Sequence, residues 1–140
     1  MRVDKKSLFL SVGICLLPIL IGVYYYDVLP EQISIHFNFK GEPDNFVSKT
    51  RAIIDIPIFL AIVQVIISLV VDFDKTPKKG ALIIKGIIPL ISVLVQGGVI
   101  AYALDNNFNV SQLAIFVIGI VLIILGNYLP KKEFWGKYNF

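Results

Sequence analysis

The stretch VSQLAIFVIGIVLIILGNYL, Val110–Leu129, runs for twenty residues without a charge and then meets Pro130-Lys131-Lys132. At about 1.5 Å per residue, a helix of that length reaches about 30 Å, the thickness of a bilayer's hydrocarbon core. Three more blocks have similar length. Ser7–Tyr26 is uncharged, Ala52–Val71 carries only Asp55, and about Leu82–Leu104 carries only Lys85, near its start. In hydrocarbon every backbone polar group needs an internal partner, so such runs predict helices; their continuity excludes a barrel of alternating strands. The expected architecture is an all-α integral membrane protein of one domain, residues 1–140. It is a four-helix transmembrane bundle with spans at about 7–26, 52–71, 82–104 and 110–129, and the 27–51 loop supplies a short strand and turn as a cap.

Composition agrees. Of 140 residues, 56% are hydrophobic and 16% charged, and the mean hydropathy is +0.79; an average soluble domain is about 45–50% apolar and about 25% charged. These values exclude a disordered tail, a collagen-like fibre, a disulfide-rich module and a multidomain soluble enzyme. The first block is longer than a signal-peptide core and ends in Tyr24-Tyr25-Tyr26-Asp27 instead of small residues, which predicts a retained span. The single cysteine, Cys15, lies inside that block, where it reads as a small hydrophobe.

Orientation follows from the basic residues. Arg2, Lys5 and Lys6, then Lys75, Lys78, Lys79 and Lys85, then Lys131, Lys132 and Lys137 fall on one side of a four-span chain; Lys40, Lys49 and Arg51 fall on the other. Ten against three predicts both termini in the cytoplasm and the 27–51 loop outside the plasma membrane. The net charge of +3 is then a topology signal and not a sign of nucleic acid. Tyr24, Tyr25, Tyr26 and Tyr102 are expected in the outer aromatic belt, and Phe73, Tyr128 and Trp135 near the inner one.

The outer loop has its own pattern. Ile33, Ile35, Phe37 and Phe39 alternate with Ser34, His36, Asn38 and Lys40, the period of a half-buried strand. Lys40-Gly41-Glu42-Pro43-Asp44 then offers turn chemistry. A lone strand has unpaired edges, so it must pair or lie on the helix ends. The expected cap packs its apolar face down and turns His36 and Asn38 outward or into a polar cleft.

The string Leu29-Pro30-x-x-Ile33-x-Ile35-His36-Phe37-Asn38-x-x-Gly41-x-Pro43-Asp44-x-x-x-Ser48-Lys49 resembles the signature of a small bacterial membrane domain of unknown function. That domain forms the N-terminal part of SdpI-family immunity and signalling proteins. Gly126-Asn127-Tyr128-Leu129-Pro130-Lys131 is similar, more weakly, to the start of that family's C-terminal half. Ser34 stands where the family usually has proline, and the family's further basic, tryptophan-bearing motif and last two helices have no counterpart in these residues. The resemblance implies a non-enzymatic receptor or immunity protein whose outer loop meets an extracellular peptide or toxin.

Candidate ligand- or partner-binding residues are His36, Asn38, Gly41, Asp44, Lys49 and Asp55. His36, the only histidine, can make a structural hydrogen bond, contact a ligand or bind a metal; one histidine among unspaced carboxylates is a poor zinc signature, and no metal or cofactor is expected. Ser48, His36 and Asp44 form a hydrolytic triad only on paper, without a nucleophile elbow. Asp55 lies one turn inside the second block with Arg51 four residues earlier, which predicts an ion pair on one helix face. It is read either as an anchor for the loop or as the polar floor of a pocket above Gln64 and Gln96. A small transporter or channel component using those three residues is the alternative function. Lys85 is expected to snorkel, and Pro18, Pro57 and Pro89 to kink their helices. Gly97 with Ala101, and Gly119 with Gly126, are expected at close packing faces, within the bundle or toward a second copy. The basic cluster from Lys75 to Lys85 is expected to face anionic lipid or a cytoplasmic regulator.

Overall fold

Asp4 starts the first helix by accepting the N–H of Ser7, 3.1 Å away. Two helical segments follow, α1 (Lys5–Leu16) and α2 (Pro18–Tyr24), divided where Pro18 interrupts the hydrogen-bond ladder. A 3₁₀ turn, Tyr26–Val28, leads to strands β1 (Gln32–Phe37) and β2 (Pro43–Ser48). Ser48 then caps α3 (Lys49–Phe73), accepting the N–H of Arg51 at 3.4 Å. A short connection leads to α4 (Lys78–Leu104), and Asn109, whose Oδ1 accepts the N–H of Gln112 at 2.9 Å, opens α5 (Val110–Tyr128). The computed structural model describes residues 2–74 and 77–128. Lys75, Leu129, Pro130, Lys131, Lys132, Trp135 and Lys137, named above for topology or resemblance, lie outside the described residues, as does the side chain of Tyr128.

Among the described residues, four helical stretches are long and apolar enough to cross a membrane: Lys5–Tyr24, Lys49–Phe73, Lys78–Leu104 and Val110–Asn127. The second and third begin earlier than the hydropathy blocks, because the Ser48-capped first turn of the one and the first turn after Pro77 of the other accept Lys49, Arg51, Lys78 and Lys79 that an apolar count leaves out. The first ends at Tyr24, two residues early.

Two expectations need correction. The chain is not all-α, because the predicted lone strand finds an antiparallel partner in β2. Pro43 and Asp44, expected in the turn, open that partner strand. The four expected helices are present among the described residues, and their packing is uneven. The α1/α2, α3 and α4 segments pack on one another, whereas α5 leans mainly on α4 and buries none of its apolar window.

The interior is inverted relative to a soluble protein. Ser11, Gln64, Ser68, Lys85, Ser92 and Gln96 are buried, while Phe9, Leu20, Phe59, Ile62, Ile66, Phe116 and Ile123 face outward. Such an exterior is stable against hydrocarbon and not against water. The apolar core cluster lies at the hairpin end, where Leu29 and Ile33 pack on Ala52 and Ile53 of α3 and Val99 and Ile100 of α4.

Three of the buried polar side chains, Gln64, Gln96 and Ser92, have a common task. A proline nitrogen cannot donate, so it leaves the carbonyl four residues earlier without its helical partner. Pro57 does this to Ile53, and Gln96 Nε2 of α4 donates to the carbonyls of Ala52 at 2.8 Å and Ile53 at 3.4 Å. Pro89 does it to Lys85, and Gln64 Nε2 of α3 donates to that carbonyl at 2.9 Å and to Ser68 Oγ at 3.2 Å. Beside the Pro18 break, Ser92 Oγ of α4 donates to the Cys15 carbonyl at 2.8 Å. Each proline site is thereby tied to a neighbouring helix.

Lys85 departs from expectation. Its side chain is 4% exposed and does not snorkel; its Nζ lies 2.6 Å from Asp72 Oδ1, whose side chain is 9% exposed. The other oxygen of Asp72 accepts the backbone N–H of Asp4 at 3.0 Å, so one carboxylate ties α3 to α4 and to the start of α1. A counter-charge within reach removes the reason for the ammonium to seek water.

The tight helix approaches are not the ones expected from spacing. Gly97, Gly119 and Gly126 face open space, whereas a Cβ on Gly22 would meet the branched side chain of Ile53 at 2.6 Å and one on Gly98 would collide with Leu113. Gly22→Ala is expected to lower stability by about 1–3 kcal/mol, as overpacking at a rigid partner does. Unfolding in detergent reads the loss, and Ile53→Ala in the same chain should recover part of it.

Candidate functional site

The hairpin is built around one side chain. Asn38 Oδ1 accepts the N–H groups of Lys40 and Glu42, both at 2.9 Å, its Nδ2 donates to the Glu42 carboxylate at 3.0 Å, and its carbonyl accepts the N–H of Gly41 at 2.9 Å. Gly41 closes the turn at φ +80°, a conformation that costs L side chains about 1 kcal/mol or more. Its missing Cβ also makes room for Ser111 of α5.

Strand pairing is irregular between Ser34 and Phe37. The shift explains why the alternation misplaces two residues. Ser34, expected outward, is buried and donates from Oγ to the His36 carbonyl at 2.6 Å. Phe39, expected to pack down, lies beyond the strand at the hairpin tip and is fully exposed. Phe37 does pack, edge-on against Tyr102 with ring centroids 5.0 Å apart. His36 then faces Asp44 across the hairpin, Nδ1 to Oδ1 at 2.6 Å, with both side chains substantially exposed.

Beneath this pair lies an open groove of about 630 Å³. One wall is the hairpin, with His36, Asn38, Gly41 and Asp44; the other is the first two turns of α5, with Val110, Ser111, Ala114, Ile115 and Ile118. Four of the six candidate residues therefore meet in one place. The α5 wall escapes a reading centred on the loop, although Ser111, Ala114 and Ile118 share a helical face by spacing alone.

Lys49 and Asp55 are elsewhere. Lys49 anchors the base of the hairpin: its Nζ lies 3.1 Å from Glu31 Oε1, donates to the Tyr26 carbonyl at 3.2 Å, and sits 4.5 Å over the Tyr26 ring. Tyr26 OH pairs with Thr50 Oγ1 at 2.7 Å. Asp55 forms the expected pair with Arg51, Nη2 to Oδ2 at 2.9 Å, on a partly exposed face of α3. Gln64 and Gln96 are the carbonyl donors described above. Ser48 is occupied as the cap of α3, and among the described residues no group of three histidine, cysteine or carboxylate side chains is placed to hold a metal.

Fold and groove together define a class: a chain with, among the described residues, four helices of membrane-spanning dimensions, the first two joined by a structured hairpin resting on the helix ends. Residues 13–61, from the middle of α1 through the hairpin to the middle of α3, match the family model of a domain of unknown function, DUF1648. No curated protein and no solved structure matches the chain.

Proposed function

We propose that the protein is a non-enzymatic, multi-pass plasma-membrane receptor or immunity protein of the SdpI type, whose outer hairpin binds an extracellular peptide. Both termini lie in the cytoplasm in this reading. The observation that carries it is the convergence of His36 and Asp44, exposed and paired, with the apolar wall of α5 in one groove. Polar groups at the rim and apolar side chains below suit an amphipathic peptide: the pair supplies orientation and the wall supplies burial. The fully exposed Phe39 adds an apolar contact at the tip. Asn38 and Gly41 enter as the residues that hold the rim in shape. Because Gln64 and Gln96 are engaged as carbonyl donors, a transport track through them has less support than the groove.

The test is survival of a toxin-sensitive bacterial host expressing the chain against a panel of secreted peptide toxins. Asp44→Ala and His36→Ala are each expected to lower the protective effect about tenfold or more, the worth of a charge-assisted hydrogen bond, with membrane levels of the protein unchanged. Equal survival with and without the wild-type chain across the panel would refute the reading.

A further inference from the structure

Beside the groove lies a slot of about 330 Å³ between α4 and α5 beneath β1. The two cavities share His36, Phe37, Val110, Ala114 and Ile118, so they lie side by side along α5 with the polar end at the hairpin. Val95 and Val99 of α4 face Leu113 and Val117 of α5 in the slot, and Gly98 lets the helices approach at its floor.

We infer that this slot is a seat for one acyl chain of a membrane phospholipid. Three observations lead there. First, the slot carries no charge below His36, and beneath β1 its walls are α4 and α5, helices whose backbone groups are already bonded within the helix. A peptide placed there would bury its own N–H and C=O groups unpaired, at several kcal/mol each in hydrocarbon, whereas an acyl chain has none to lose. Second, the slot follows α5 from Val110 to Ile118, about 12 Å at 1.5 Å per residue, which matches most of the roughly 15 Å hydrocarbon depth of one leaflet. Third, α5 leans mainly on α4 and buries none of its apolar window, so the slot opens sideways to the solvent that carries such chains.

The seat goes beyond the receptor reading and does not require it. It also places a lipid directly under the hairpin, where occupancy holds the rim in position.

Photolabelling of the wild-type chain tests this directly. The protein is reconstituted in phosphatidylcholine–phosphatidylglycerol vesicles containing a phosphatidylcholine with a diazirine midway along one chain. After irradiation, adducts are expected to concentrate on Val95–Val99 and Leu113–Ile118, at least fivefold above the outward residues Phe59, Ile62 and Ile66 of α3. Val117→Phe and Val95→Phe, which fill the slot from opposite walls, should abolish that excess and leave labelling of α3 unchanged. Equal labelling of both regions in the wild-type chain overturns the seat, as does an excess that survives both substitutions. Toxin protection is scored separately, so loss of labelling contrast speaks only to the lipid, and loss of protection by the His36 and Asp44 variants only to the receptor.

Discussion

Lys85→Met is expected to lower the stability of the protein by about 3–5 kcal/mol, the usual cost of stranding one member of a buried ion pair. Asp72 would be left in a site where its side chain is 9% exposed, with the N–H of Asp4 as its remaining donor among the described residues. The double change Lys85→Met with Asp72→Leu removes both charges and is expected to recover most of the loss, because apolar pairs replace buried ion pairs at little net cost. Only the exposed Asp4 N–H then loses a partner. Unfolding of the four chains in a mild detergent closes the cycle. A single variant as stable as wild type, or a double variant as unstable as the single, would show that the pair is not buried as described.

The second large effect concerns the kinks. Gln96→Leu withdraws the donor from the Ile53 carbonyl and is expected to cost about 1–3 kcal/mol, the penalty of a buried acceptor left unpaired. Part of this is offset because Gln96 Oε1 is itself buried without a partner among the described residues. The sharper expectation is the coupling. Pro57→Ala restores an N–H to α3 that can reach the Ile53 carbonyl, so Gln96→Leu should cost at least about 1 kcal/mol less in that background. The same logic links Gln64 to Pro89 through the Lys85 carbonyl. Additive effects in both cycles would mean that the amides are buried for another reason, and a polar transport track would regain support.

The helices were legible from hydropathy because their exteriors are apolar almost all round, and the Arg51–Asp55 pair from its four-residue spacing. The interior was not, because its contacts join residues far apart in the chain. Lys85 looks like a snorkelling residue until antiparallel packing of α3 and α4 brings Asp72 to it. Gln64 and Gln96 look like a track until each is seen against another helix's proline. Gly22 and Gly98 carry no spacing signal, since what matters is which bulky residue lies opposite, Ile53 or Leu113.

The cap was half legible. Alternation located β1, and the residues from Lys40 to Asp44 located the reversal, but a period-two pattern cannot report an irregular register. Ser34 and Phe39 therefore came out on the wrong sides. Of the candidate site, His36, Asn38, Gly41 and Asp44 were found because they cluster in sequence. The α5 wall was missed because it lies more than sixty residues away, in a block that is uncharged throughout.

The claim that most depends on direct measurement is that the hairpin is displayed outside the cell. In a Cys15→Ser background, Phe39→Cys and Lys78→Cys place single thiols at the exposed hairpin tip and at the exposed start of α4. In intact cells a membrane-impermeant maleimide is expected to label position 39 and to reach position 78 only after permeabilisation. Labelling of position 78 but not 39 in intact cells would put the hairpin in the cytoplasm and contradict the receptor reading.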